Sequence, residues 1–274
     1  IRSFFLEIKR AFALYFGLSA KLAINLTPIA THIVNQYLYY GSLFKYNRAK
    51  YCMQDRHYQT SAIKNYLFRK FGGRVSGCIQ KNIIQRGHNG FYYDIDVLFA
   101  LGNRTAERAF KYGARIKEVV PVGSLYMEYY WFKENKAKDS LEKKYDVICF
   151  GGNALGVGSI FDSYETFLQD YYEGFEWLVK FSYENPKLLI GIKHHSNNNI
   201  DARELEIIKG SNVEIINKHL NSYEVGFQSK CCVTFASTMG YELTAHGVPT
   251  LFLDPGRRND QFLHDDELID GWCV

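Results

Sequence analysis

The sequence has no run of about 18 apolar residues free of polar or charged side chains, which excludes a polytopic membrane protein. None of its six cysteines (52, 78, 149, 231, 232 and 273) belongs to a Cys-x-x-Cys pair or another metal-ligand spacing. Cys149 and the Cys231-Cys232 pair lie in apolar runs. They read as buried thiols in a reducing compartment, in a chain too large to need disulfide staples. No secretory signal is legible, because Lys9, Arg10 and Lys21 interrupt the first apolar stretch and no small-residue cleavage site follows. The expectation is a cytoplasmic protein. No internal repeat, low-complexity stretch or Gly-Lys-Ser/Thr phosphate loop occurs. What is present is an ordinary globular composition: 274 residues, 47% hydrophobic and 23% charged, enough for two domains of about 130 residues.

Acidic residues are scarce in the first half. Residues 1–120 carry 19 Lys+Arg against 6 Asp+Glu, a balance of +13; residues 121–274 carry 14 against 23, a balance of −9. A strongly basic half suits an anionic partner, namely a membrane surface, a phosphorylated lipid carrier or nucleic acid, or else is the solvated face of a Lys-rich helical domain. The 44 aromatic residues (20 Phe, 21 Tyr and 3 Trp) fall at helix spacing and inside strands, so most read as core and not as a stacking platform for nucleic acid.

Phe4, Phe5, Ile8, Phe12, Leu14 and Tyr15 recur at helical spacing, predicting an amphipathic helix over 1–25, followed by a tyrosine-rich helix over 30–50. From residue 51 the pattern changes to strand, helix and tight glycine turn. Helix 60–71 stops at Gly72-Gly73, strands follow at 74–79 and 96–101, then helix 104–112 and strand 116–122. The charged segment 133–144 reads as part of a boundary, so residues 1–132 and 145–274 form two domains. The second repeats the alternation. Strands are predicted at 145–150, 188–193, 213–216, 232–235 and 250–253, with helices at 163–184, 201–209, 222–230 and 238–246. This is the signature of parallel α/β layers.

Ligands of open parallel sheets bind at the carboxyl ends of strands. Three such ends carry suitable residues. Gly151-Gly152-Asn153 follows a strand and lets backbone N–H groups approach an anion. Lys193-His194 ends another and suits a diphosphate. Ser237 is placed as a helix N-cap, a seat for phosphate, and Glu242 lies one turn further in, where a carboxylate can accept ribose hydroxyls. The same spacing also describes a capped helix with a stabilising acid.

The stretch Ser237-Thr238-x-Gly-x-Glu242-x4-Gly247-x-Pro249 resembles the donor-binding domain of GT-B glycosyltransferases. It is most similar to bacterial capsule and surface-polysaccharide transferases, whose relatives include Kdo, sialic acid and CDP-glycerol transferases. The series Gly77-Cys-Ile-Gln80-Lys81, Asp94-Ile-Asp96, and Val-Gly-Ser124 is similar to the later part of an acceptor domain. Gln80-Lys81-Asn82 departs from the Gln-His-Gly loop of those relatives, and the usual start of a first Rossmann unit is not evident, so the chain reads as N-terminally truncated.

The resemblance implies two Rossmann-like domains with parallel sheets facing a central cleft. It implies donor phosphate on Ser237 and Thr238 and nucleotide ribose on Glu242. It also implies transfer from a CMP- or UDP-linked sugar to a surface polysaccharide or lipid-linked acceptor, without metal or other cofactor. Such a transfer is a direct displacement at the anomeric carbon, with one base in the acceptor domain. Asp55, His57, His88 and Asp94 are the candidates for it, and the sequence does not choose among them. Two alternatives stand beside this reading: a non-hydrolysing sugar-nucleotide epimerase, and a non-catalytic polysaccharide-assembly protein. No nucleic acid is expected as partner. The basic half is expected to make peripheral contact with an anionic membrane at its inner face.

Overall fold

The structure, a computed structural model, describes residues 2–56, 60–81, 94–111, 113–137, 143–151, 164–196, 198–235 and 237–253. The chain divides into two compact α/β units at Val122 and Gly123.

The first unit opens with helices α1 (Arg2–Leu22) and α2 (Thr27–Asn47). Strand β1 (Tyr51–Gln54) and helix α3 (Ala62–Lys70) follow. Next come β2 (Val75–Ile79), β3 (Asp94–Ala100), α4 (Asn103–Lys111) and β4 (Arg115–Pro121). The four strands form one parallel sheet in the order β1-β2-β3-β4. Ser61 caps α3 by accepting the Lys64 N–H at 3.0 Å, and Gly72, at φ +89, turns the chain out of the helix as the Gly-Gly pair predicts. Phe44 of α2 packs against Leu67 and Phe68 of α3, while Ala106 and Ala109 of α4 lie close on Leu98 and Ala100 of β3.

The second unit begins with α5 (Leu125–Ala137), then β5 (Tyr145–Gly151), α6 (Tyr164–Glu184), β6 (Ile190–His194), α7 (Ala202–Ile208) and β7 (Glu214–Ile216). It continues through α8 (Ser222–Phe227), β8 (Ser229–Thr234), α9 (Thr238–Ala245) and β9 (Thr250–Phe252). The unit therefore starts earlier than the expected boundary at 132–145. Met127, Tyr130 and Trp131 on α5 pack with Val225 and Phe227 of α8, so this helix belongs to the second core and not to a linker.

All five strands are parallel, in the order β7-β6-β5-β8-β9. Side-chain alternation along β5 gives the sheet two buried faces, as a parallel sheet requires. Cys149 faces the cluster of Tyr171, Phe175 and Leu178 on α6, and Ile148 and Phe150 face the cluster of α5, α8 and Leu243 on α9. Cys78, Cys149 and Cys232 are buried free thiols whose pKa is pushed up to about 12 by burial, which leaves them inert.

Candidate functional site

The strand order of the second sheet places its reversal point beside β5. The chain leaves β5 toward β6 on one side and later returns to β8 on the other, and such a switch point opens a crevice at the carboxyl ends of the strands. Phe150 is in register with Thr234, and Gly151 with His194, so the carboxyl ends of β5, β6 and β8 lie at one sheet edge. Gly151 has a steric reason to lack a side chain, since a Cβ would come within 2.9 Å of the Phe175 ring and 3.1 Å of the Tyr171 hydroxyl. Gly152 and Asn153 lie outside the described residues.

Helix α9 starts at this edge. Ser237 is its N-cap, with extended backbone and Oγ accepting the Met239 N–H at 3.2 Å. Thr238 is the first helical residue. The motif glycine, Gly240, faces the sheet: a Cβ there would meet the Phe252 ring at 2.6 Å.

Glu242 lies on the following turn and is only 7% exposed. Its carboxylate accepts the Ser124 hydroxyl at 2.5 Å and the Tyr223 hydroxyl at 3.3 Å. Burial raises its pKa, and the two hydroxyls and His246 offset part of that rise. These two hydroxyls fill two of the about four acceptor positions of the carboxylate. The Tyr223 hydroxyl is itself raised, by burial first and then by the neighbouring Glu242 charge, so it stays a donor.

Lys193 and His194 end β6 as expected, but both are buried and engaged within the unit. The Lys193 ammonium donates to the carbonyls of His194 at 2.6 Å and Lys218 at 2.9 Å, and burial lowers its pKa. His194 Nε2 is 3.1 Å from Glu204 Oε1, which also accepts the Tyr171 hydroxyl at 2.5 Å. Glu204 Oε2 accepts the Asp201 N–H at 2.7 Å, while Asp201 accepts the Glu204 N–H at 2.8 Å, a capping box. With three donors on a carboxylate 1% exposed, this network satisfies its own charge and aims the imidazole. The Lys193 ammonium therefore serves the backbone instead of an outward anion contact.

In the first unit, Asp55 directly follows β1 at the carboxyl edge of the sheet. It is exposed and 3.6 Å from Arg56. Asp94 instead opens β3, at the amino edge, where the Arg69 guanidinium holds it at 3.0 Å. Asp96 joins that cluster. Its carboxylate accepts the Ser76 N–H and hydroxyl at 2.8 and 2.9 Å and pairs with Lys117 at 2.5 Å. Asp94 and Asp96 thus balance cations at the edge opposite to where ligands bind. His57 and His88 lie outside the described residues, and among the described residues no three His, Cys, Asp or Glu side chains are grouped to hold a metal.

Sequence reasoning singles out Ser237 and Glu242, quotes Ser124 only within the acceptor-domain resemblance and misses Tyr223; it does not tie either to Glu242, which they reach from 118 and 19 residues away. The Asp201-x-x-Glu204 spacing was available as a capping signal, and Glu204 is what fixes His194.

No family model and no curated protein sequence matches the chain. Among solved structures it is similar to S. aureus MnaA in a co-structure with UDP, at 11% identity and TM-score 0.57, over 88% of this chain and 65% of that one. It is likewise similar to a Listeria monocytogenes protein described as a UDP-N-acetylglucosamine 2-epimerase, at 10% identity and TM-score 0.58, with the same coverages. The chain thus spans about 65% of the length of the structures it matches. At such identities the likeness speaks for the fold: two α/β units with parallel sheets, of the GT-B-like type.

Proposed function

We propose that the protein is an enzyme acting on a nucleotide-activated sugar. In this reading the donor phosphate sits at Ser237 and Thr238 and the nucleotide ribose on Glu242. The observation that carries it is the placement of Glu242, a buried carboxylate one turn inside a capped helix that begins at the sheet's switch point. Helix N-terminal N–H groups and the dipole favour phosphate there, and a carboxylate with open lone pairs suits a ribose diol.

For the reaction, epimerisation of a UDP-sugar is the reading the fold neighbours favour, one being seen with UDP and another described as a 2-epimerase. Transfer to a glycan or lipid-linked acceptor is the second reading, and one observation favours it. Among the described residues, Asp55 is the only acid in the segments that immediately follow the strands of the first sheet. One base serves a displacement, whereas epimerisation must both remove and return a proton.

The test begins with thermal shift against UDP, CDP, CMP and GDP, since a ligand at 100 times its Kd stabilises by about 2.7 kcal/mol. Glu242→Ala is expected to weaken the bound nucleotide by about 1.5–3 kcal/mol in calorimetry, the range for a hydrogen bond to a charged group. Unchanged affinity in a folded variant overturns the site. UDP-N-acetylglucosamine alone then separates the reactions: a new sugar isomer marks an epimerase, and UDP release only with an acceptor marks a transferase. No binding of any nucleotide leaves the polysaccharide-assembly reading.

A further inference from the structure

The outer faces of α1 and of the turn into α2 combine two properties that seldom coexist on a water-facing surface. Leu6, Leu14, Phe16, Leu22 and Ile24 are all more than half exposed, a chain of large apolar groups on the helix and its tip. Lys9, Arg10 and Lys21 are exposed on the same helix, Arg10 and Lys21 on the side of Leu6 and Leu14 and Lys9 on the side of Phe16. Residues 1–54 hold seven Lys+Arg and a single acid, Glu7. That acid is turned inward, where the Lys70 ammonium of α3 grips both its oxygens at 2.8 Å. The exposed face of α1 is therefore apolar and cationic, with no carboxylate among the described residues to neutralise Lys9, Arg10 or Lys21.

We infer that this helix pair docks the protein on the surface of an anionic lipid bilayer, lying in the interface plane. The inference is independent of the nucleotide site. Neither helix is long and apolar enough to cross a membrane. An interfacial helix, by contrast, wants this composition: apolar side chains at the acyl boundary and cations among the headgroups. A second copy of the chain is a poor occupant, because pairing two such faces would oppose like charges. A nucleic acid would leave Leu14 and Phe16 in water. An anionic bilayer satisfies both components at once.

The experiment is co-sedimentation of the full chain with vesicles of phosphatidylcholine, alone or with phosphatidylglycerol, at low and high salt. Binding is expected only with the anionic lipid and is expected to weaken with salt, which screens surface charge over about 8 Å at physiological strength. Lys9→Gln with Arg10→Gln is expected to lower the partition coefficient about 30-fold, near fivefold per cation. Leu14→Ser with Phe16→Ser, both at exposed positions, is expected to abolish binding while the thermal transition is retained. Equal binding to both vesicles, binding to neither, or no effect of the charge pair overturns the proposal. So does concentration-dependent self-association that the Leu14 and Phe16 changes remove.

Discussion

Two buried carboxylates titrate in opposite directions, and each gives its own pH signature. Glu242 has its pKa raised, chiefly by burial. Its stabilising contribution is thus complete below the unfolded value, about 4.3, and is lost as pH rises through the folded one. In the proposed function the ribose hydroxyls donate to the ionised carboxylate, so on that proposal affinity runs the other way. Calorimetry across pH 4.5–7.5 is expected to show nucleotide binding weakening on acidification from a higher pH than an ordinary glutamate would, with the slope lost in Glu242→Gln.

Asp96 is the reverse case. Burial pushes its pKa up, but Lys117, both Ser76 bonds and Arg69 outweigh it and bring it below the usual range. Its contribution is present above the unfolded value, about 3.9, and disappears as pH falls through the lowered one. Asp96→Asn should cost about 2 kcal/mol in urea unfolding at pH 7, the scale of hydrogen bonds to a charged group, and the difference should close in strong acid. At this scale the sequence exposes the residues that belong to a local motif, Ser237 and Glu242. It hides the bonds of Ser124 and Tyr223 to Glu242, which exist only because the chain returns to them.

At the scale of elements, most of the alternation is legible because helix stops and strand starts are chemically marked. Asp201, Asn221 and Ser237 each accept first-turn N–H groups, and Gly247 at φ +80 releases the chain after α9. Two elements escape. Strand β1 is four residues, Tyr-Cys-Met-Gln, with two of them exposed, so it lacks the apolar run that marks a buried strand. Helix α5 ends in charged residues that read as linker, while its packing face is aromatic. The predicted helix 222–230 is also too long, because Ser229 already pairs with Tyr145 in the sheet. Helix α9 shows how tightly an element can be constrained by one position. Gly240→Ala keeps helix propensity and adds only a methyl, yet that methyl lands 2.6 Å from the Phe252 ring. Overpacking of this kind costs about 1–3 kcal/mol, and the midpoint of urea unfolding is expected to fall accordingly with an unchanged slope.

For the whole molecule, the charge split at about residue 120 falls close to the division at Val122, so composition alone comes near to separating the units. Strand order is another matter. Nothing local in the sequence says that β5 is central, since that follows from which later strands return to its two sides. The same arrangement sets a timetable for synthesis. Lys230 clamps Asp146 from 84 residues away, and β8 can pair with β5 only after α6, β6, α7, β7 and α8 have been made. Until then one side of β5 is an open edge on the nascent chain, with Val147, Ile148 and Cys149 beside it. Such edges recruit foreign strands, and long-range parallel pairing closes them slowly. A ribosome stalled before residue 229 would therefore release a fragment with an adhesive central strand, and expression of the second unit should depend on chaperones until β8 has emerged.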